Sequence, residues 1–285
     1  MDVIGVIGVG KMGSAMAANL VAGGFRVVGF DVDPHQLDLF EADGGERCGS
    51  PAEVTEKADI VILSLPSAAA LRQVISGEGG LIAAGRKGVI CVETSTLPVK
   101  VKEEARLLLE DVGIHLLDCP LSGTGDMARR KDLVIYASGS ADLLDKCRPV
   151  FEAVSRGYGR VGGFGDGSRM KLVSNLLVSV HTAAAAEALT LAAKCGLDRG
   201  LALELLCAGS GNSRMLEIRG PMMAAQQFPG GSSTVDVLSK DVEIIIGLAD
   251  EVGCPAPLMG LTATLLAAAR GQHLGASDPA VIATV

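Results

Sequence analysis

Through the first 165 residues, short runs of β-branched and apolar residues alternate with longer amphipathic stretches. No other feature limits the fold as much. Residues 3–7, 26–30, 60–64, 89–92, 115–118 and 133–137 have the length and composition of strands. Residues 13–22, 67–75, 99–112 and 141–154 have the spacing of helices. Strands that are apolar throughout need cover on both faces, and the intervening helices supply it. The expected architecture is α/β, with an N-terminal doubly wound parallel sheet of the Rossmann type.

The pattern changes near Gly165. Beyond it the charges thin out, Phe228 is the last aromatic, and alanine dominates. Residues 166–195 read as one long helix, and others start at Asp198, Val235 and Pro257. Two domains are expected in the 285 residues: a nucleotide-binding domain over 1–165 and an all-α domain over 166–285, joined by the long helix. Helices rich in small residues and poor in charge need helical neighbours on most sides. The second domain is therefore expected to form a dimer interface, with a monomeric bundle as the alternative.

Composition removes several classes of function. With 48% hydrophobic and 20% charged residues the chain is not disordered. A net charge of −8, two Tyr and no Trp argue against nucleic acid as a partner. Residues 172–186 are too short to span a bilayer, and 252–269 contain Pro255 and Pro257, so both are expected as buried helices with no membrane partner. The seven cysteines show no metal-ligand spacing, and residues 1–10 carry Asp2, three glycines and no basic n-region, so they read as a strand and not as a leader. Unpaired thiols, a cytoplasmic location and no metal are expected.

Between the first strand and the first helix lies Gly8-Val9-Gly10-Lys11-Met12-Gly13. In that setting Gly8 permits a tight turn, and Gly10 lets a pyrophosphate approach the backbone. Gly13 lets the helix pack on the strand. Lys11 and Met12 complete the loop, and the start of the helix that follows supplies N–H groups and a dipole to the anion. The second strand runs into Asp31, roughly 20 residues beyond the loop. A carboxylate there accepts from an adenosine ribose and repels a 2′-phosphate, so Asp31 with Asp33 favours NAD over NADP. The other reading of Asp31 is a turn before Pro34. A flavin uses the same fingerprint, so the reaction has to be read from other residues.

Asp118-Cys119-Pro120-Leu121-Ser122-Gly123-Thr124-Gly125 follows a strand. Either Ser122, Gly123 and Thr124 offer N–H and hydroxyl groups to an anion such as a carboxylate, or the segment is an ordinary turn. A glycine-rich turn over 162–167 then enters a helix carrying Lys171 and Asn175, four apart on one face, with Ser168 on the same stripe. The helix dipole disfavours a cation there. Lys171 is either a snorkelling lysine or a partly buried amine of lowered pKa, acting as general acid and base while Asn175 fixes the reacting oxygen. Arg129-Arg130-Lys131 reads as a solvated turn, or as an attraction for a more anionic substrate such as a sugar acid.

Taken in order, these blocks resemble the β-hydroxyacid dehydrogenase family, which includes 3-hydroxyisobutyrate dehydrogenase and tartronate semialdehyde reductase. The glycine loop continues into Met16-Ala17-Ala18-Asn19-Leu20. The segment from Asp118 to Gly123, the run from Gly162 to Asn175, and Lys240-Asp241-Val242 follow. The resemblance implies hydride transfer between a nicotinamide cofactor and a small 3-hydroxy acid or its semialdehyde, in a cleft between the two domains. It implies Lys171 as catalytic acid and base, and Ser122, Gly123 and Asn175 as contacts to a small carboxylate substrate. It also implies that Leu65, Pro66 and Thr96 line the cofactor, that Lys240 lies near the nicotinamide, and that the chain forms a homodimer or homotetramer. Thr124 departs from the family, which usually has a second glycine there. Imine reductases share the architecture but replace the lysine. A non-catalytic NAD-binding protein on this fold would be free to lose the lysine or the loop, and this chain keeps both.

Overall fold

The computed structural model describes residues 3–231 and 233–285, so Met1 and Asp2 of the apolar N-terminal run lie outside the described residues. The chain divides into two compact units, Met1–Lys171 and Leu172–Val285. The division falls inside a single helix of 29 residues, beyond the change of character at Gly165.

In the first unit the strands are β1 (Val3–Ile7), β2 (Arg26–Phe30), β3 (Glu46–Arg47), β4 (Ile60–Leu63), β5 (Ile90–Glu93), β6 (His115–Asp118), β7 (Leu121–Ser122), β8 (Val134–Ser138) and β9 (Gly157–Gly162). The helices are α1 (Lys11–Ala22), α2 (Pro34–Ala42), α3 (Pro51–Lys57), α4 (Ala68–Ser76), α5 (Val99–Glu110), α6 (Gly125–Arg129), α7 (Ala141–Lys146) and α8 (Arg148–Val154). The sheet order is β3-β2-β1-β4-β5-β6-β8-β7, with β9 beside β8. Its first six strands are parallel and follow the doubly wound order, which reverses between β1 and β4. Apolar residues alternate between two cores, one on each face. Ile4, Val6, Ile62 and Val92 join Met16, Leu20 and Phe151 on one side. Ile7, Val61, Leu63 and Cys91 join Leu71 and Ile75 on the other.

The structure departs from the sequence expectation at several places in this unit, and the short elements β3, β7, β9 and α6 are additions to it. The sheet is not wholly parallel, because β8 runs antiparallel to β6 and β7. The 141–154 helix is two helices that break at Cys147, ahead of Pro149 in the first turn of α8. The short helices α2 and α3 lie where no element was expected. Asp33 and Ser50 cap them, each followed by a proline that starts the helix.

The long helix is α9 (Asp166–Lys194). The second unit adds α10 (Arg199–Ala208), α11 (Arg214–Ala225), α12 (Val235–Glu251), α13 (Pro257–Gly271) and a 3₁₀ turn at Pro279–Thr284, with no strand among its described residues. Its core joins Leu189, Leu216, Met223, Leu238, Ile245, Met259 and Leu266. Helix α9 is not the buried helix that its apolarity suggested. It is long and apolar enough to cross a membrane by length and composition, and 33% of its most apolar window is buried. Val173, Leu177 and Leu191 are exposed along it, as are Leu201 and Leu205 on α10.

Candidate active site

The strand order reverses between β1 and β4, and at their carboxyl ends the backbone forms an open cradle. Gly8 has φ +86°, and a Cβ there would stand 2.2 Å from the Ser64 carbonyl oxygen. A Cβ on Gly13 would stand 1.9 Å from the Gly8 oxygen. A Cβ on Gly10 would meet nothing within 4 Å. Two glycines thus serve packing, and the middle one faces open space. Helix α1 starts there with no side-chain cap and no acidic residue in its first turn. Its first N–H groups therefore suit an anion.

Asp31 stands at the end of β2. Its Oδ2 accepts from Val9 N at 2.8 Å and its Oδ1 from Asp33 N at 2.9 Å, which holds the carboxylate at the cradle's rim. The adjoining cavity has a volume of about 600 Å³, within the usual range for a cofactor site. Gly8, Gly10, Lys11, Met12, Asp31, Leu65 and Pro66 all line it, together with Asp33, Gln36 and Glu78. Gly13 packs beneath the loop instead of lining it. An uncapped helix start, an unobstructed glycine and an oriented carboxylate fit the phosphates and ribose of a dinucleotide.

Farther along the same edge the chemistry is ionic. Glu93 ends β5, Asp118 ends β6, and Lys102 reaches them from α5, all three fully buried. Lys102 Nζ lies 2.5 Å from Glu93 Oε2 and 2.8 Å from Asp118 Oδ1, and donates to the Ser95 carbonyl at 2.7 Å. Burial alone would lower its pKa, but the two carboxylates outweigh that and hold the ammonium above its ordinary value. Asp118 also accepts from Ser168 N and Ser168 Oγ, both at 2.7 Å. Gly167 makes this junction possible, since a Cβ there would stand 2.4 Å from the Tyr136 oxygen and 2.6 Å from that of Asp118. Lys171 follows one turn later, partly buried.

Ser122 ends β7, and Gly123 follows with φ +143°. A Cβ at Gly123 would stand 2.5 Å from Leu133 Cδ2. The Thr124 hydroxyl accepts from Met127 N at 3.4 Å and caps α6. Asn19 of α1 donates to the Ala128 carbonyl at 2.7 Å, which ties α6 to the cradle's helix. Thr96 lies in the loop after β5. Arg129 pairs at 3.7 Å with Asp43, and both are solvated.

In the second unit Asn175 is buried, and its Nδ2 donates to Asp241 Oδ2 at 2.8 Å. Lys240 Nζ lies 3.4 Å from Asp241 Oδ1. Asp241 thus meets Asn175 through one carboxylate oxygen and Lys240 through the other. Asn175 is one helical turn beyond Lys171 on α9. Sequence reasoning assigned no role to Asp241, Lys102, Glu93 or Asn19. Asp241 carries a signal in the sequence, because it stands beside Lys240 in one of the blocks that carry the resemblance. Among the described residues, no group of three or more His, Cys, Asp or Glu side chains is placed to hold a metal ion.

Residues 3–163 match the family model for the NAD binding domain of 6-phosphogluconate dehydrogenase. Residues 165–285 match the model for the NAD-binding domain of NADP-dependent 3-hydroxyisobutyrate dehydrogenase. The chain is 32% identical to an L-threonate dehydrogenase of Cupriavidus necator, over 98% of this chain and 94% of that one. It is 31% identical to a 2-(hydroxymethyl)glutarate dehydrogenase of Eubacterium barkeri, over 99% and 94%. A crystal structure of a 3-hydroxyisobutyrate dehydrogenase from Salmonella typhimurium superposes with a TM-score of 0.90 at 27% identity, covering 100% of this chain and 99% of that one.

Proposed function

The chain belongs to the β-hydroxyacid dehydrogenase family and is a nicotinamide-dependent oxidoreductase of hydroxy acids, and on that premise we propose its cofactor, its substrate class and the residues that act. The cofactor is NAD in preference to NADP. The substrate is a small 3-hydroxy acid or its semialdehyde. Sugar acids and dicarboxylic hydroxy acids are included, since relatives are named for L-threonate and 2-(hydroxymethyl)glutarate.

Asp31 carries the cofactor preference. Two backbone N–H groups orient its carboxylate, and Asp33 and Glu78 line the same cavity. Three carboxylates line the cavity, which disfavours a further phosphate, and Lys11, the one lining cation among the described residues, belongs to the phosphate loop.

When bound, the cofactor supplies or accepts the hydride. Gly8, Gly10, Lys11, Met12 and Asp31 hold its phosphates and ribose, Gly13 shapes the loop, and Leu65, Pro66, Thr96 and Lys240 serve the nicotinamide end. N–H groups at Ser122 and Gly123, with the Thr124 hydroxyl, hold the substrate carboxylate. Lys171 donates a proton to the substrate oxygen in reduction and takes the hydroxyl proton in oxidation. Asn175 spends one amide hydrogen on Asp241 and offers the other to that oxygen. One observation supports the Lys171 assignment above the rest: Lys171 and the buried, oriented Asn175 lie one turn apart on one helix.

The chain acts in the cytoplasm as a homodimer or homotetramer. Seven unpaired thiols support the compartment, and the exposed apolar residues of α9 and α10 support the assembly. Sedimentation equilibrium returning a monomer would remove the second point.

The deciding experiment follows NADH and NADPH absorbance against a panel of 3-hydroxy acids, short semialdehydes and four-carbon sugar acids. Turnover is expected with NADH in preference to NADPH. Activity on cyclic imines alone, or on nothing, would replace this reading with an imine reductase or a non-catalytic binder.

A further inference from the structure

Three charges are buried together in the Glu93–Lys102–Asp118 cluster, although burying ions is unfavourable and well-packed apolar residues often serve a core as well. The ammonium donates to Asp118 Oδ1 and to the Ser95 carbonyl, and it stands in ion-pair contact with Glu93 Oε2. Two carboxylates against one ammonium leave one negative charge in excess.

The start of α9 meets that excess. Ser168 gives both its N–H and its hydroxyl to Asp118. Gly167 donates to Ser138 Oγ at 2.9 Å, and Ser138 Oγ donates to the Asp118 carbonyl at 2.8 Å. A helix start carries roughly half a positive charge, so the cluster holds it electrostatically as well as by geometry. The same cation orders a second piece of the edge. Ser95, whose carbonyl Lys102 binds, accepts Leu65 N on its hydroxyl at 2.8 Å and donates its own N–H to Glu93 Oε1 at 3.0 Å.

We propose that Lys102, with Glu93 and Asp118, is a positioning element for catalysis that sets the place of Lys171 by gripping the first turn of the helix that carries it. This inference rests on the acid–base reading of Lys171. A misplacement of about 1 Å at a reacting group costs on the order of 100-fold in rate, so a rigid anchor one turn away has a direct kinetic consequence.

The test compares Lys102→Met, the double variant Lys102→Met/Glu93→Gln, and Ser168→Ala, with Lys171→Ala as reference. It measures kcat, KM for the hydroxy acid, NADH affinity by fluorescence, the isotope effect with deuterated NADH, and amide hydrogen exchange of the peptide over 165–175. In Lys102→Met we expect kcat to fall about 10- to 100-fold, with KM for the hydroxy acid nearly unchanged and NADH affinity, which Lys102 touches only through Ser95 and Leu65, falling far less than kcat. The isotope effect should rise and exchange at the helix start should quicken. Ser168→Ala should shift the same quantities by a smaller amount. Folded variants that keep the parental kcat and isotope effect would overturn the proposal. Should Lys102→Met fail to fold, the double variant, which strands one carboxylate fewer, and Ser168→Ala decide the matter by the same criterion. Full turnover in Lys171→Ala would instead overturn the acid–base reading.

Discussion

The carboxyl edge of the sheet is built in two different ways. At β1 and β2 the cradle is made by leaving side chains out: glycines at 8 and 13 let backbone meet backbone, and glycine 10 opens onto the cavity. At β5 and β6 the edge is made by burying charge: one ammonium and two carboxylates hold the start of α9. The first construction presents N–H groups to whatever anion arrives. The second presents nothing to a ligand and fixes the place of a residue that does. Recognition and positioning thus fall on separate stretches of one sheet edge, with β4 between them and different residue types doing each.

Lys171→Ala gives the sharpest contrast between the two. Loss of a positioned acid and base should lower kcat about 10²- to 10⁴-fold while NADH binding stays intact, since the cradle lies elsewhere on the edge. Stopped-flow turnover together with NADH fluorescence titration checks both halves. A parallel loss of NADH affinity would merge the two constructions into one.

Gly13→Ala attacks the other construction. The added carbon would stand 1.9 Å from the Gly8 oxygen, which is backbone and has no room to yield. The loop must distort, at a cost of roughly 1–3 kcal/mol. NADH affinity should weaken by about tenfold or more on that account. Calorimetry and titration measure the two effects. A variant with unchanged Kd would show that the cradle tolerates movement the helix start does not.

The two constructions also differ in how far they can be read from sequence. The glycine motif is legible because its logic is local: a strand, a tight glycine turn and a helix follow one another, with Asp31 at the end of the next strand. The charge cluster is not legible, because Glu93, Lys102, Asp118 and Ser168 come from four elements. A lysine on α5 among other charged residues looks like a solvated one until the sheet folds beneath it. The same reason hides the Asp241 contact to Asn175, which joins residues of α9 and α12. The sheet's far side escapes for a different reason. Strand β9 holds three glycines in six residues, so its place comes from pairing with β8 and not from its own propensity. Six strands and the long helix carry their own pattern and are found where the alternation puts them.

Asp31→Asn tests whether the cradle's selectivity lies in one charge. A hydrogen bond to a charged group contributes about 1.5–3 kcal/mol, so kcat/KM for NADH should fall about 10-fold or somewhat more. The NADPH value should fall less or rise, because one repulsive charge is gone. Steady-state kinetics with both cofactors read the ratio. An unchanged ratio would move the selectivity to Asp33 or Glu78.

The smallest effect is expected from a charge that lies near the second construction in sequence without belonging to it. Arg129 closes α6, just after the Ser122–Gly123 loop, and pairs at 3.7 Å with Asp43, with 57% and 41% of the two side chains exposed. Exposed pairs of this kind contribute about 0–1 kcal/mol, and salt screens them. Lys102 is the opposite case: also a lysine or arginine within reach of a carboxylate, but with no water to replace the partner it would lose. Arg129→Ala should therefore leave thermal stability within about 0.5 kcal/mol of the parent. It should also leave kcat/KM equally unaffected for mono- and dicarboxylic substrates. A loss confined to dicarboxylates would place Arg129 against the substrate's second carboxylate and extend the recognition surface beyond backbone N–H groups. Equal values would leave burial, and not charge, as what separates the cations that matter on this edge from those that do not.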